Sequence, residues 1–110
     1  MVHLVLSGPG KNALSTSVME SAIAAVRGAG DDAIFLTGEG DAFSAGLHLK
    51  ELASLDEAGL ARFRGLIDEL VAALYAHPGP TLAWVNGHAV AGGGVLALCC
   101  DFRVMTARPG

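Results

Sequence analysis

The chain opens on an alternation. Val2, Leu4 and Leu6 are separated by His3, Val5 and Ser7, the period of two expected of a half-buried strand, and Gly8-Pro9-Gly10 stops it. The period then changes. Ser17 with Glu20 three residues on has the form of a capping box, and Val18, Ala22, Ile23 and Val26 make one apolar face, so a helix is expected that ends at Gly28 and Gly30. Ala33-Ile34-Phe35-Leu36-Thr37 is a short apolar run between Asp31-Asp32 and Gly38, the pattern of a strand buried on both faces. Leu60, Phe63, Ile67, Leu70 and Leu74 recur three and four apart, with Arg62, Arg64, Asp68 and Glu69 on other faces; they predict a second helix that Pro78 ends. Thr81 to Val85 reads as a buried strand with Trp84 in the core, Gly93 to Cys99 as a short helix, and Phe102 to Met105 as a further strand. Strands alternating with helices imply an α/β chain with crossover connections.

Composition narrows the classes of function. The 110 residues suit one domain. They are 52% hydrophobic and 16% charged, which excludes a disordered chain. A net charge of -4, with no basic run, leaves nothing to neutralise a ladder of phosphates, so no nucleic-acid partner is expected. No apolar stretch reaches the roughly 18 to 20 residues of a spanning helix, and MVHLVLSGPG lacks the charged start of a signal peptide. A cytoplasmic protein without a membrane partner is the expectation. Cys99 and Cys100 are adjacent, which is poor geometry for a bridge and gives no C-x-x-C pair for zinc; they are expected to be small buried residues.

Two loops hold the candidate chemistry. FLTGEGDAFSAGLHLKEL and TLAWVNGHAVAGGGVLALCC each run from a buried strand through a glycine-rich turn into helical residues. Ligands of α/β sheets gather beyond the carboxyl ends of strands, where helix N-termini present unpaired N–H groups. The Gly92-Gly93-Gly94 run weakens its flanking elements, and two readings explain it. It lets a carbonyl oxygen approach bare backbone, so that two such turns form an oxyanion hole, or it makes a tight turn that helix packing requires. Gly8-Pro9-Gly10-Lys11-Asn12-Ala13 matches G-x-G-x-x-A, but the proline removes an N–H from the turn and no acidic residue ends the second strand, against a dinucleotide site. Neither a G-K-[ST] nor a G-x-S-x-G segment occurs.

Four segments in order resemble those of the crotonase superfamily, the enoyl-CoA hydratase and isomerase fold. They are Lys11-Asn12-Ala13-Leu14-Ser15, Phe43-Ser44-Ala45-Gly46-Leu47-His48-Leu49-Lys50-Glu51, Val85-Asn86-Gly87-His88-Ala89-Val90-Ala91-Gly92-Gly93-Gly94 and Cys100-Asp101-Phe102-Arg103. The resemblance implies a crotonase-like ββα spiral, here incomplete at the C-terminus, with residues 1–110 forming the N-terminal part of a single domain. It implies acyl-CoA thioesters as substrates, no metal or redox cofactor, and a homotrimer or dimer of trimers for the whole protein.

Carried over residue by residue, the resemblance makes the backbone N–H groups of Leu47 and Gly93 the oxyanion donors. Substrate contacts are implied at Ala13, Leu14, Ala45 and Gly46 in the first two segments, at His48 and Leu49 beside the first donor, and at Gly92 and Leu96 around the second. Lys11 and Lys50 fall where the family often holds CoA phosphates, or are solvated surface lysines. His48 replaces the family's usual aspartate and is expected to play a local structural part, as is His88; Asp101 is expected to make structural hydrogen bonds, and nothing in the sequence aims Glu39 or Glu51 inward.

Leu96 stands where a hydratase of this family carries a glutamate, and a leucine moves no proton. Gly93-Gly94-Val95-Leu96-Ala97-Leu98-Cys99-Cys100-Asp101-Phe102-Arg103 looks most like the mitochondrial-type Δ3-Δ2-enoyl-CoA isomerases, which need one carboxylate, in a segment that would follow residue 110. A hydratase, another CoA thioester enzyme and a non-catalytic acyl-CoA binder remain the alternatives.

Overall fold

The computed structural model describes residues 1–89 and 96–105, and of His88 and Ala89 the backbone alone. In chain order the elements are β1 (Val2–Leu6), α1 (Pro9–Asn12), α2 (Thr16–Gly28), β2 (Ile34–Gly38), β3 (Ala42–Ser44), α3 (Leu49–Ser54), α4 (Glu57–Tyr75), β4 (Thr81–Val85), β5 (His88–Ala89) and β6 (Phe102–Met105). Strands β1, β2, β4 and β6 lie side by side in that order and all pair in parallel, as alternating strands and helices predict. Short strands β3 and β5 pair in parallel in a second sheet.

The period of two decides which side of the main sheet is dry. Leu4 and Leu6, Ile34 and Leu36, and Ala83 and Val85 are buried, in one cluster with Met19, Ala22, Ile23 and Val26 of α2 and Phe63, Leu70 and Leu74 of α4. The intervening residues point to the other face, and there Val5 and Trp84 are exposed along with Phe102 and Val104 of β6. Trp84 therefore does not belong to the core: 42% exposed, it stacks obliquely on Phe35 at 6.4 Å between ring centres. Its neighbours Ala83 and Val85 are the ones directed at the helices.

Helix α4 runs from an Asp56 cap, whose side chain accepts the Gly59 N–H, past the predicted apolar stripe to Tyr75. Helix α2 starts two residues earlier than the capping-box reading places it. Its cap is Ser15, which accepts the Val18 N–H at 3.3 Å, because a carboxylate from elsewhere in the chain satisfies the next free amide, that of Thr16. Residues 96–98 are helical; the start of the helix expected from Gly93 lies outside the described residues. Asp101 accepts the Thr81 N–H at 3.0 Å and donates its own N–H to Thr81 Oγ1 at 2.8 Å, the structural role expected of it. Among the described residues no helix is long and apolar enough to cross a membrane.

Candidate functional site

The segment after β1 and the segment after β3 are zipped together. Ala45 donates its N–H to Lys11 O at 2.8 Å, and Leu14 donates its own to Gly46 O at 2.7 Å. Ser44 Oγ donates to Asn12 O at 2.8 Å and accepts the Gly46 N–H at 3.1 Å. Two of the four sequence segments thus form one neighbourhood. Within it Ala13, Leu14 and Gly46 are buried, Leu47 and His48 half-buried, and Lys11, Ala45, Leu49 and Lys50 exposed.

The backbone of Leu47 follows from this zipper. Leu14 and Leu47 form a single parallel bridge in which Leu14 takes both bonds, donating to Gly46 O and accepting the His48 N–H at 3.2 Å. Successive peptide groups of an extended strand face opposite sides, so the Leu47 N–H and C=O point away from Leu14. Among the described residues nothing accepts the Leu47 N–H. Gly46, at φ 88°, makes the turn into this position, a conformation that L side chains rarely adopt. An amide directed outward without a partner can donate to an oxygen brought to it.

The strand that leads to the second loop lies beside the strand that leads to the first. In the parallel pair of β3 and β5, Ala42 lies opposite His88 and Ser44 opposite Ala89. The chain beyond Ser44 and the chain beyond Ala89 consequently depart from the same end of the pair. Gly92 and Gly93 lie outside the described residues, as does the His88 side chain.

Two asparagines fix the loop between β2 and β3, and the sequence reading gave neither a role. Asn86 donates to Gly38 O at 2.9 Å, Gly40 O at 2.8 Å and Ala42 O at 3.3 Å, while its oxygen accepts the Gly38 N–H at 3.1 Å. Buried Asn12, at φ 58°, donates to Glu39 O at 2.8 Å and Ala42 O at 2.9 Å. Gly87 is required by close approach, since a Cβ there would lie 1.9 Å from Asp41 O. Asparagine tolerates the left-handed region and carries both donor and acceptor; an N-G pair after a strand was the available signal for Asn86.

The charged groups are arranged differently from a bare phosphate site. Lys11 Nζ pairs with Asp41 Oδ1 at 3.0 Å on the surface, Lys50 is exposed, and Ser7 Oγ donates to Glu39. Glu51 has a defined target after all: its carboxylate accepts the N–H of Thr16 at 2.9 Å and the Thr16 hydroxyl proton. The hydroxyl bond, then the amide bond, hold its carboxyl below the usual range. Among the described residues buried His48 Nδ1 has no hydrogen-bond partner, and it lies 4.0 Å from Glu51 Oε1. Leu96 is 2% exposed and packs in the core, where its carbonyl accepts the Cys99 N–H at 3.2 Å. Cys100 is buried beside it, and burial pushes its thiol up to about 11.

Among the described residues no cluster of metal-ligating side chains occurs. A cavity of about 410 Å³ between α2 and α4, lined by Val26, Arg27, Glu69 and His77 among others, shares no residue with these loops.

Comparison with known proteins bears on both the fold and the loops. Residues 2–110 match the family model for enoyl-CoA hydratase/isomerase. The chain is 39% identical over 98 residues to a probable enoyl-CoA hydratase, echA6, of Mycobacterium bovis, covering 86% of this chain and 38% of that protein. It is 42% identical over 67 residues to the mitochondrial enoyl-CoA delta isomerase 1 of Mus musculus, covering 61% and 23%. The crystal structure of an enoyl-CoA hydratase from Bacillus anthracis superposes with a TM-score of 0.87 at 29% identity, over 94% of this chain and 42% of that one. The chain thus spans well under half the length of these relatives.

Proposed function

The chain belongs to the enoyl-CoA hydratase/isomerase family and has its crotonase fold, and from that premise we propose that it serves an acyl-CoA thioester enzyme as part of the oxyanion site. The Leu47 N–H donates to the thioester oxygen together with the N–H of Gly93. The observation that carries this reading is the direction of the Leu47 amide, turned away from Leu14 and without an acceptor among the described residues. Donors held in place before reaction stabilise charge that appears only as the enolate forms, and losing one costs on the order of 2.7 to 4 kcal/mol.

The reaction we assign is a double-bond shift. A carboxylate from sequence beyond residue 110 takes a proton from C2 of a 3-enoyl thioester; the electrons delocalise into a dienolate held at its oxygen by the two amides. The same carboxylate returns the proton to C4, leaving the 2-enoyl product. Leu96 favours this over hydration, because it is an apolar side chain packed in the core at the position where a hydratase needs a second proton carrier. Ala13, Leu14, Ala45, Gly46, His48 and Leu49 are proposed to shape the acyl-CoA site with Gly92. Lys11 and Lys50 reach CoA phosphates, Lys11 by leaving Asp41.

Protein extended through the sequence that follows residue 110, given 3-enoyl-CoA and 2-enoyl-CoA separately, tests the assignment. Isomerisation of the first without hydration of the second is expected. Hydration of the second contradicts it, and binding of both without turnover supports the reading as an acyl-CoA binder, which Leu96 also fits.

A further inference from the structure

We propose that Glu51 is a positioning residue for Leu47: its carboxylate, clamped on Thr16, keeps the Leu14–Leu47 bridge closed and thereby sets the direction of the Leu47 amide. This rests on the reading of Leu47 as the thioester donor. The bridge is one residue pair with two bonds, at 2.7 Å and 3.2 Å; the Ala45 N–H on Lys11 O supports it on the side away from the helices, and on the helix side no further backbone bond joins the two segments among the described residues. Each bridge residue leads directly into a helix. Leu14 is followed by the Ser15 cap and Thr16, the first residue of α2, and Leu47 by the His48 cap and α3.

The clamp supplies the missing rung. Thr16 N–H is one of the amides that a helix start leaves unpaired, and Glu51, 35 positions away in the first turn of α3, accepts it at 2.9 Å while also accepting the Thr16 hydroxyl. The carboxylate sits at the positive end of the 13-residue helix α2. Bridge and clamp close a ring through Leu14, Thr16, Glu51 and Leu47. Burial holds α3 only in part: none of its residues is fully buried, Leu49 at its start is 73% exposed, and Leu52 alone among its apolar residues packs partly against the core. His48, whose backbone N–H makes one bond of the bridge, keeps its Nδ1 4.0 Å from the same carboxylate, so the glutamate borders both the backbone and the side chain that follow Leu47.

The test uses the 110-residue chain with Glu51→Ala, Thr16→Val and Thr16→Ser, reading amide hydrogen exchange residue by residue. The Leu14 and His48 amides, which make the bridge, are expected to exchange about tenfold faster in Glu51→Ala and Thr16→Val. Thr16→Ser, which keeps the hydroxyl, is expected to restore slow exchange, and the Leu36 amide in the sheet interior stays unchanged in all three. Equal acceleration of the Leu36 amide, or unchanged bridge amides in Thr16→Val, overturns the proposal. Butyryl-CoA affinity measured on the same variants separates the two claims. Weaker binding where the bridge opens supports both; an open bridge with unchanged affinity keeps the clamp and removes Leu47 as a thioester donor.

Discussion

Leu14 holds Leu47 by the peptide groups on either side of it, donating to Gly46 O and accepting from His48 N, so that the Leu47 amide is fixed in direction by bonds in which it takes no part. Such an arrangement would keep the donor proposed here both rigid and available. Backbone bonds lock the peptide groups on either side, and among the described residues the Leu47 N–H itself has no acceptor.

Gly46 is the turn on which that arrangement depends. Gly46→Ala is expected to cost about 1 to 2 kcal/mol, the penalty of a Cβ at its φ of 88°, and to weaken acyl-CoA binding as the turn relaxes. Urea denaturation followed by circular dichroism measures the first, and calorimetric titration with butyryl-CoA the second. Full stability with full affinity would show that the turn carries no constraint.

Asn86 offers three N–H contacts to the carbonyls of Gly38, Gly40 and Ala42. Asn86→Ala leaves those oxygens short of donors and is expected to destabilise by about 1 to 3 kcal/mol. Asn86→Asp, which sets a carboxylate against three carbonyls, is expected to be worse at neutral pH and to recover part of the loss in acid. Equal urea midpoints for the two variants at neutral pH would contradict the donor assignment.

Much of the fold was legible in the sequence, and the exceptions share a cause. Periodicity located β1, β2, α4, β4 and β6, because five or more patterned residues, or a run between turn residues, carry the signal. It could not locate β3 or β5, at three and two residues, nor α1, whose Gly10 and Lys11 depart from helical angles. Trp84 was misplaced because an apolar run does not say which of its two faces is covered. On the second face of this sheet Val5, Trp84, Phe102 and Val104 are exposed. The Ser17 cap was misplaced because the partner of Thr16 is Glu51, a tertiary contact that no local window contains.

Of the candidate site the sequence offers a pair of glycine turns, the second of which lies outside the described residues, and it hides the supports of the first. Lys11, Ala13, Leu14 and residues 45–50 come together as the motif order implies, whereas Asn12, Asn86 and Glu51 work through backbone bonds to distant loops. Nothing in residue type or spacing distinguishes such bonds from a solvated surface.

Glu51 also gives the chain a pH dependence of definite sign. Its folded-state carboxyl lies below the ordinary value of 4.5, through the Thr16 hydroxyl first and the Thr16 amide second. A carboxylate stabilised in this way contributes above its unfolded pKa and loses that contribution as pH falls through its lower folded value. The melting temperature of Glu51→Gln should therefore trail the wild type at neutral pH and converge with it as the pH falls into the acid range where the folded-state carboxylate takes up its proton. A constant gap across that range would show that the charge is not what holds Thr16.

Cys100 is expected to resist thiol reagents in the folded chain. Burial raises its thiol to about 11, and the thiolate is the reacting form. At about pH 8 only on the order of 0.1% is ionised. Maleimide labelling followed by mass spectrometry should modify half-buried Cys99 first and Cys100 only as the protein unfolds. Rapid labelling of Cys100 without unfolding would contradict its placement beside Leu96.

The amide of Leu47 is the point on which the proposed function turns, and its proton resonance reports on it directly. Titrating the ¹⁵N-labelled chain with a 3-enoyl-CoA should move that proton downfield and saturate together with binding, as its N–H meets the thioester oxygen. Saturation of the signals around Lys11 and Ala45 with the Leu47 proton unmoved would show that the ligand binds here without using this amide, and the account would fail.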